Sequence, residues 1–175
     1  MVLPSWRRFG AVDVHYPQAG GACAALVIAA EPRFATLVGE HIAWLNHIAP
    51  YQPGRFFARE LPAIRAVMAD AGDVDLLVID GYVDLDSDGR PGLGAHLHAQ
   101  VAVPVIGVAK TAFRTATHAV AVHRGTATRP LYVTAVGVRI EQAAALVADM
   151  SGQHRIPDAL RRVDWLARNA RRSAP

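Results

Sequence analysis

The sequence predicts an α/β fold with one mixed β-sheet flanked by α-helices. The first observation is a short apolar run from Leu76 to Ile79, which is typical of a strand buried on both faces. The run ends at Asp80-Gly81, so a carboxylate lies at the carboxyl end of a buried strand, where open α/β sheets commonly build their sites. The second observation is the order of the patterns, because three strand-like segments come first and strand–helix–strand units follow them.

Composition indicates a single globular domain over residues 1–175. The chain is 52% hydrophobic and 19% charged, which is enough apolar material for a real core. Its one cysteine is Cys23, and it has no signal peptide and no apolar run that could span a bilayer. We therefore expect a cytoplasmic monomer without a membrane partner.

The balance of charge is mildly basic, with a formal net charge of +3. This is compatible with a polyanionic partner. Five arginines crowd the C-terminus and form either a phosphate-binding surface or a solvated helix face: Arg161, Arg162, Arg168, Arg171 and Arg172.

Residues 11–16 begin a predicted antiparallel set of strands, because apolar and polar side chains alternate there. The turn-forming segment PQAGG separates them from a second apolar run, CAALVIAA. The Thr and Val content of residues 34–45 favours a third strand over an amphipathic helix. Asp13 lies within the first strand, where an acid is costly unless it is hydrogen-bonded, paired or metal-bound. The alternative is that Asp13 faces solvent on an edge strand.

The loop of residues 50–54 contains two prolines and a glycine, and it presents Tyr51 on a stiffened backbone. Pro62 suits the first turn of a helix that extends to about Ala71. This helix would bury Leu61, Ile64, Val67 and Met68. Further elements are predicted in the second half of the chain: helices at 93–100, 141–150 and 157 to about 171, and strands at 104–110, 120–122 and 131–134.

Three acids lie at places that one sheet could bring together. They are Asp13 on the first strand, Glu60 at a helix entrance and Asp80 at the end of the central strand. Carboxylates without a required Cys or His favour Mg²⁺, a hard ion that prefers oxygen ligands. Such clusters recur in phosphodiester cleavage, where the metal polarises the phosphate and lowers the pKa of a bound water. A simple capping role for Glu60 is the alternative, since the helix dipole favours a carboxylate there.

Other motifs have simpler interpretations. DLDSDG at residues 84–89 resembles the start of an EF-hand, but its twelfth position is Ala95 instead of Glu, so we expect a solvated turn. His96 and His98 are two residues apart on a predicted helix, which favours a buried, hydrogen-bonded His96 over a zinc site. Lys110 ends a strand beside Asp80, and it either binds phosphate or pairs with a carboxylate.

Seven segments resemble the endonuclease V family, and they occur in the family's order from about residue 11 to residue 168. They are VDVHY, PYQPGRFFARELPAI, DLLVIDGY, GLGAHL, PVIGVAKT, PLYVTAVG and HRIPDALRRVDWLAR. The resemblance implies a ribonuclease-H-like fold and an endonuclease that uses Mg²⁺, with Mn²⁺ as a substitute. It also implies that DNA or RNA is the partner, cleaved at the second phosphodiester bond on the 3′ side of deoxyinosine or inosine.

The resemblance further implies a role for particular residues. The implied catalytic residues are Asp13, Glu60, Asp80, Lys110 and Asp164. The first three acids would hold the metal, the lysine would contact the scissile phosphate, and the last acid would lie near the metal. Tyr51 resembles the wedge that fills the gap left by an extruded base. The residues expected to contact nucleic acid are Pro50, Tyr51, Pro53, Gly54, Gly81, His96 and Lys110.

Two features depart from the family pattern. The chain begins almost at its first strand, without the N-terminal helix expected of the family. The loop after Asp80 usually follows DGxGxxHPRxxG, but here it is DGYVDLDSDGRPG, so Val83 replaces a glycine and Asp86 a histidine. In the family this loop belongs to the pocket for the flipped base. We therefore expect poorer discrimination of deoxyinosine, and the alternative function is a catalytically weak or altered-specificity nucleic-acid-binding relative.

Overall fold

The computed structural model describes residues 5–171, which contain seven β-strands and four α-helices. The strands are β1 (Phe9–His15), β2 (Ala22–Ala29), β3 (Leu37–Leu45), β4 (Leu76–Asp80), β5 (Val105–Ala109), β6 (Val120–Val122) and β7 (Leu131–Val136). The helices are α1 (Phe57–Ala71), α2 (Leu93–Val101), α3 (Ile140–Asp149) and α4 (Asp158–Asn169). This order confirms the predicted α/β class. No helix in this range is long and apolar enough to cross a membrane.

All seven strands form one mixed sheet in the order β3-β2-β1-β4-β5-β7-β6. β1, β2 and β3 are antiparallel neighbours, whereas β1, β4 and β5 run parallel to one another. β1 is an interior strand, since Val12 lies between Leu26 of β2 and Ile79 of β4. The edge-strand alternative for Asp13 is therefore wrong, because β3 and β6 form the edges of the described sheet.

Helices cover both faces of the sheet and create two apolar cores. α3 and α4 pack on the face that presents Phe9 and Val78, whereas α1 and α2 pack on the face that presents Val12 and Ile79. Neighbouring residues of β1 and β4 thus enter different cores, as the two-residue period of a strand requires. Burial on both faces explains why β2, β5 and the first four residues of β4 are continuous apolar runs.

The start of α1 differs from the prediction. The helix begins at Phe57, so Pro62 is its sixth residue and lies inside the helix, not in its first turn. Pro62 has no amide hydrogen, and the helix therefore lacks one of its backbone hydrogen bonds at this position. Met68, predicted to be buried with Ile64 and Val67, is only partly buried at the margin of its core.

Candidate functional site

The carboxyl ends of three parallel strands bring charged side chains to one edge of the sheet. β1 carries Asp13, β4 ends at Asp80, and Lys110 directly follows β5. Each of these residues follows, two positions later, a side chain that packs in the core beneath α3 and α4. These core residues are Ala11, Val78 and Val108. Because side chains alternate along a strand, Asp13, Asp80 and Lys110 belong to the face that α4 covers.

Lys110 and Asp80 form an ion pair in which Nζ donates to Oδ2 at 2.5 Å. Burial alone would lower the pKa of Lys110, but the hydrogen bond and negative charge of Asp80, followed by the charges of Asp13 and Asp164, outweigh burial and raise it. Lys110 is therefore a protonated cation at neutral pH that donates a hydrogen bond. Its side chain is still 40% exposed, so the ammonium remains accessible to a ligand.

Asp13 and Glu60 are acids whose ionised forms are disfavoured. Burial, and next the charge of Asp80, raises the pKa of Asp13 to about 7. Burial, and next the charges of Asp13 and Asp80, raises the pKa of Glu60 to about 8. Glu60 lies in the first turn of α1. These mutual effects define an acid cluster of Asp13, Glu60 and Asp80, whose members lie close enough to repel one another.

Asp164 borders the acid cluster from α4. After burial and Asp80, its charge also contributes to the raised pKa of Asp13. Its Oδ1 accepts a hydrogen bond from Arg168 Nε at 2.8 Å, one helical turn further along. This bond fixes the orientation of a carboxylate that is 35% exposed. The fourth implied acid thus faces both the cluster and a basic side chain.

The donor set of the acid cluster suits a hard divalent cation, because it supplies carboxylate oxygens and excess negative charge. A cation among these groups would stabilise the ionised forms that burial and repulsion disfavour. Within residues 5–171, no three His, Cys, Asp or Glu side chains are already arranged as ligands of one ion. Asp80 is instead engaged by Lys110. The ligand geometry predicted for these acids therefore stays a prediction.

Val83, which replaces a glycine of the family pattern, is fully buried. Its amide donates to Thr134 Oγ1 at 2.8 Å, and its carbonyl accepts from the amide of Gly92 at 2.7 Å. A Cβ added to Gly94 would lie 2.7 Å from Val83 Cγ2, so the valine side chain fills the space beside α2. Position 83 is therefore a packing position in this chain, and its backbone polar groups are already used.

Asp86, which replaces the histidine of that pattern, organises the loop itself. Its Oδ1 accepts hydrogen bonds from the amides of Asp88 at 3.1 Å and of Arg90 at 2.9 Å. Asp84 and Pro91 form a short antiparallel bridge that closes the loop. The DLDSDG motif is thus a turn stabilised by its own carboxylate, which agrees with the turn that the sequence predicts.

Tyr51 lies on the loop between β3 and α1, and its side chain is 63% exposed. The amide of Arg55 donates to the carbonyl of Gln52 at 3.0 Å, and Gly54 has a φ of 76°. Only glycine adopts this left-handed conformation at little cost, so the loop is a defined turn that leads into α1. The ring is therefore presented on a structured segment nine residues before Glu60.

The two histidines of α2 contact different elements. His96 stacks on Phe57 of α1, with ring centroids 3.6 Å apart and an interplanar angle of 21°. Nδ1 of His98 lies 2.7 Å from the carbonyl oxygen of Val103. The expected divergence of the two rings is confirmed. The expectation of a buried His96 is wrong, because the ring is held by stacking at a half-buried position.

Three residues beside the site were missed in the sequence. The Arg59 guanidinium lies over the ring of Tyr16, with Cζ 4.7 Å from the ring centroid. Burial, and next the charge of Glu60, raises the pKa of Tyr16. Arg155 Nη2 donates to the carbonyl oxygens of Lys110 and Pro130. The segments VDVHY, ARE and HRIP contained these residues, but residue type alone could not place them near the acids.

Comparisons with known proteins agree with this architecture. The model of the endonuclease V family matches residues 3–126. Endonuclease V of Streptomyces coelicolor is 32% identical, over 98% of this chain and 82% of its own length. The structure of endonuclease V from Streptomyces avermitilis has a TM-score of 0.76 and 28% identity, and the match covers 94% of this chain and 82% of that one.

A further structure resembles this chain in fold alone, at 18% identity. It is Ciona intestinalis endonuclease V in complex with a 24mer DNA containing an inosine followed by a ribo-adenosine. Its TM-score is 0.80, over 94% of this chain and 85% of that one.

Proposed function

Because the chain belongs to the endonuclease V family, we propose that it is a Mg²⁺-dependent endonuclease, with Mn²⁺ as a substitute, that acts on deoxyinosine in DNA or inosine in RNA. The proposed cleavage is at the second phosphodiester bond on the 3′ side of the lesion. The acid cluster beside Lys110 is the observation that carries the proposal. The inosine-containing DNA bound to the Ciona relative supports the substrate class.

Asp13, Glu60 and Asp80 are the proposed metal ligands. A Mg²⁺ ion bound there would supply Lewis acidity toward the phosphate and the attacking water. The three carboxylates come from a strand, a helix and a second strand, so each is held by a rigid element. Asp164 is the proposed fourth acid, and its hydrogen bond with Arg168 keeps it oriented beside the cluster.

Lys110 is the proposed contact to the scissile phosphate through Nζ. The raised pKa keeps this nitrogen protonated, so it stabilises negative charge and does not remove a proton. Its hydrogen bond to Asp80 fixes the ammonium beside a proposed metal ligand. A phosphate that contacts Lys110 is therefore held next to the acid cluster.

Tyr51 is the proposed wedge. An exposed aromatic ring on a loop with two prolines and a left-handed glycine loses little conformational entropy when it stacks. It would occupy the gap left when the target base leaves the stack, which offsets part of the cost of unstacking.

A nicking assay on matched duplexes with and without deoxyinosine tests the proposal. The parent should nick the deoxyinosine strand with Mg²⁺ or Mn²⁺, and EDTA should stop the reaction.

Asp80→Asn should abolish nicking and leave binding near the parent level, because the neutral amide has a similar size but is a poorer ligand for Mg²⁺. Asp70→Asn, a change at an exposed position of α1, is the matched control and should remain active. Nicking by Asp80→Asn at ordinary Mg²⁺ concentrations would remove Asp80 from the mechanism.

A second candidate function is nucleic-acid binding with weak catalysis or altered specificity. The observation that favours it is the loop of residues 81–92, in which Val83 is a core residue and Asp86 is engaged in a turn. Equal binding of both duplexes without nicking would support this candidate over the first.

A further inference from the structure

A basic pocket lies next to the acid cluster, and no aspartate or glutamate lines it. The pocket has a volume of about 290 Å³, and the residues that line it include Lys110, Thr111, Arg129, Tyr132 and Arg155. Three of its lining residues are cations, and two carry a hydroxyl group. Positive charge and hydrogen-bond donors are what an oxyanion requires, so the composition of the pocket matches an oxyanion.

The sheet places this pocket at the same edge as the proposed catalytic residues. β7 runs antiparallel to β5, and Ala109 at the end of β5 is opposite Tyr132 at the start of β7. Lys110, the next residue, belongs both to the pocket and to the ion pair with Asp80. A ligand in the pocket would therefore be adjacent to the acid cluster.

Arg155 is fixed in place by the ends of both strands. Its Nη2 donates to the carbonyl oxygen of Lys110 and, at 2.8 Å, to that of Pro130. The guanidinium thus links the segment after β5 to the segment before β7. An arginine held by backbone carbonyls keeps its positive charge in a fixed position, which lowers the entropic cost of binding an anion.

The charge of this pocket is less compensated than that of the arginine-rich helix α4. Three arginines of α4 are paired with carboxylates, namely Arg161 with Asp158, Arg162 with Glu40 and Arg168 with Asp164. Within residues 5–171, neither Arg129 nor Arg155 has a carboxylate partner at ion-pair distance. A polyanion near the acid cluster would therefore find in Arg129 and Arg155 cations that are less neutralised than those of α4.

We propose that the basic pocket is a second phosphate subsite, which binds a backbone phosphate of the nucleic acid next to the scissile one. The proposal rests on the proposed function, because Lys110 is shared between the two phosphates. Arg129 is the exposed side chain that contacts this phosphate, and Arg155 provides fixed charge behind it. Phosphodiesters are recognised in this way by arginine, which donates two parallel hydrogen bonds.

The salt dependence of binding tests the subsite. The probe is a single-stranded oligodeoxynucleotide with one deoxyinosine, and EDTA keeps it intact. Arg129→Gln should weaken binding about 3- to 10-fold at low salt and reduce the slope of log affinity against log salt by about 0.7, the value of one phosphate contact on a single strand. The matched control is Arg139→Gln, which removes the same charge from an exposed residue at the start of α3, beyond the far end of β7. It should leave the slope unchanged.

Replacement of single phosphates by neutral methylphosphonates locates the contact. The parent should lose affinity when a phosphate next to the scissile one is neutralised, and Arg129→Gln should no longer respond at that position. Arg155→Lys should retain most of the slope of log affinity against log salt. Lysine keeps the positive charge, although it lacks the planar set of N–H donors of the guanidinium.

The outcomes separate this proposal from the proposed function. Equal slopes for Arg129→Gln and Arg139→Gln would overturn the subsite, even if the parent nicks deoxyinosine strands normally. A slope that depends on Arg129 in a parent that nicks no strand would refute the nuclease and support the subsite. A parent that binds no nucleic acid would overturn both.

Discussion

Glu60 and Asp13 are acids whose ionised forms are disfavoured in the folded protein when no cation is bound. Burial and mutual repulsion raise their pKa values to about 8 and about 7, from ordinary values near 4. The folded state therefore holds these protons more tightly than the unfolded state does. As pH rises from about 4 to about 8, these two acids ionise in the unfolded chain before they ionise in the folded protein. Ionisation therefore stabilises the unfolded state, and the free energy of unfolding falls. At pH 8 and above the full destabilisation is present, unless a cation compensates for the charge.

Glu60→Gln should consequently stabilise the metal-free protein at pH 8.5 and change little at pH 4.5. The neutral amide removes the charge that burial and Asp13 disfavour. Since one pKa unit corresponds to about 1.4 kcal/mol, we expect a gain of about 1–3 kcal/mol and a rise in Tm of several degrees. Thermal unfolding in EDTA at the two pH values measures it, and nicking activity should be lost in the same variant.

Glu141→Gln is the control for this prediction, because Glu141 is 69% exposed and pairs with Arg139 on the surface. It should leave the difference between the two pH values unchanged. At pH 8.5, addition of Mg²⁺ should raise the stability of the parent by more than it raises the stability of the Glu60→Gln variant. Only the parent keeps all three carboxylates that would bind the ion. A Glu60→Gln variant that is less stable than the parent at pH 8.5 in EDTA would contradict the electrostatic account of the cluster.

At the scale of elements, the loop between β3 and α1 presents Tyr51 without contributing to the acid cluster. Tyr51→Ala should therefore weaken binding of deoxyinosine duplexes by about 1–3 kcal/mol through lost stacking. The metal dependence of the reaction should remain the same. The measurement is the ratio of cleavage rates on deoxyinosine and undamaged duplexes, for the parent and the variant. Phe113→Ala, a change at another exposed aromatic, is the control. Equal ratios and equal affinities for parent and Tyr51→Ala would remove Tyr51 from lesion recognition.

Most elements could be predicted from the sequence, because their signals are local. The alternation along β1 and the continuous apolar run of β4 each predict a strand, and both strands are interior strands of the sheet. The start of α1 could not be predicted well. Phe56 at its N-cap makes no side-chain capping hydrogen bond, so Pro62 was the nearest local signal, and it misplaced the first turn.

The parts of the site that could not be predicted depend on contacts distant in sequence. Val83 is a buried residue because Thr134 and α2 surround it, and neither is apparent from the loop sequence. A return to glycine at position 83 would leave a cavity as well as restore the family pattern. Arg155 contacts the carbonyl of Lys110 across 45 residues of sequence, and no local pattern in either segment indicates this contact.

At the scale of the whole molecule, opposite charges are arranged around one edge of the sheet. The acid cluster lies where two parallel strands meet the first turn of α1, and basic residues border it on α4 and in the basic pocket. A polyanion is attracted by the surrounding cations, while the acids repel its phosphates unless a cation lies between them. The affinity for nucleic acid should therefore fall as the salt concentration rises. The contribution of each basic surface to this salt dependence can be measured separately.

A double variant, Arg168→Ala with Arg171→Ala, tests how much α4 and the segment after it contribute to the salt dependence of binding. Arg168 is engaged by Asp164, so it must leave a carboxylate before it contacts a phosphate, whereas Arg171 follows the helix at an exposed position. We expect the slope of log affinity against log salt to fall by about one contact, roughly 0.9 on duplex DNA, and not by two. Arg162→Ala is the control, since its two hydrogen bonds to Glu40, at 2.7 and 2.9 Å, keep its charge occupied. It should leave the slope unchanged. If the double variant also leaves the slope unchanged, the arginines of α4 form a solvated helix face, and the basic pocket supplies the phosphate contacts.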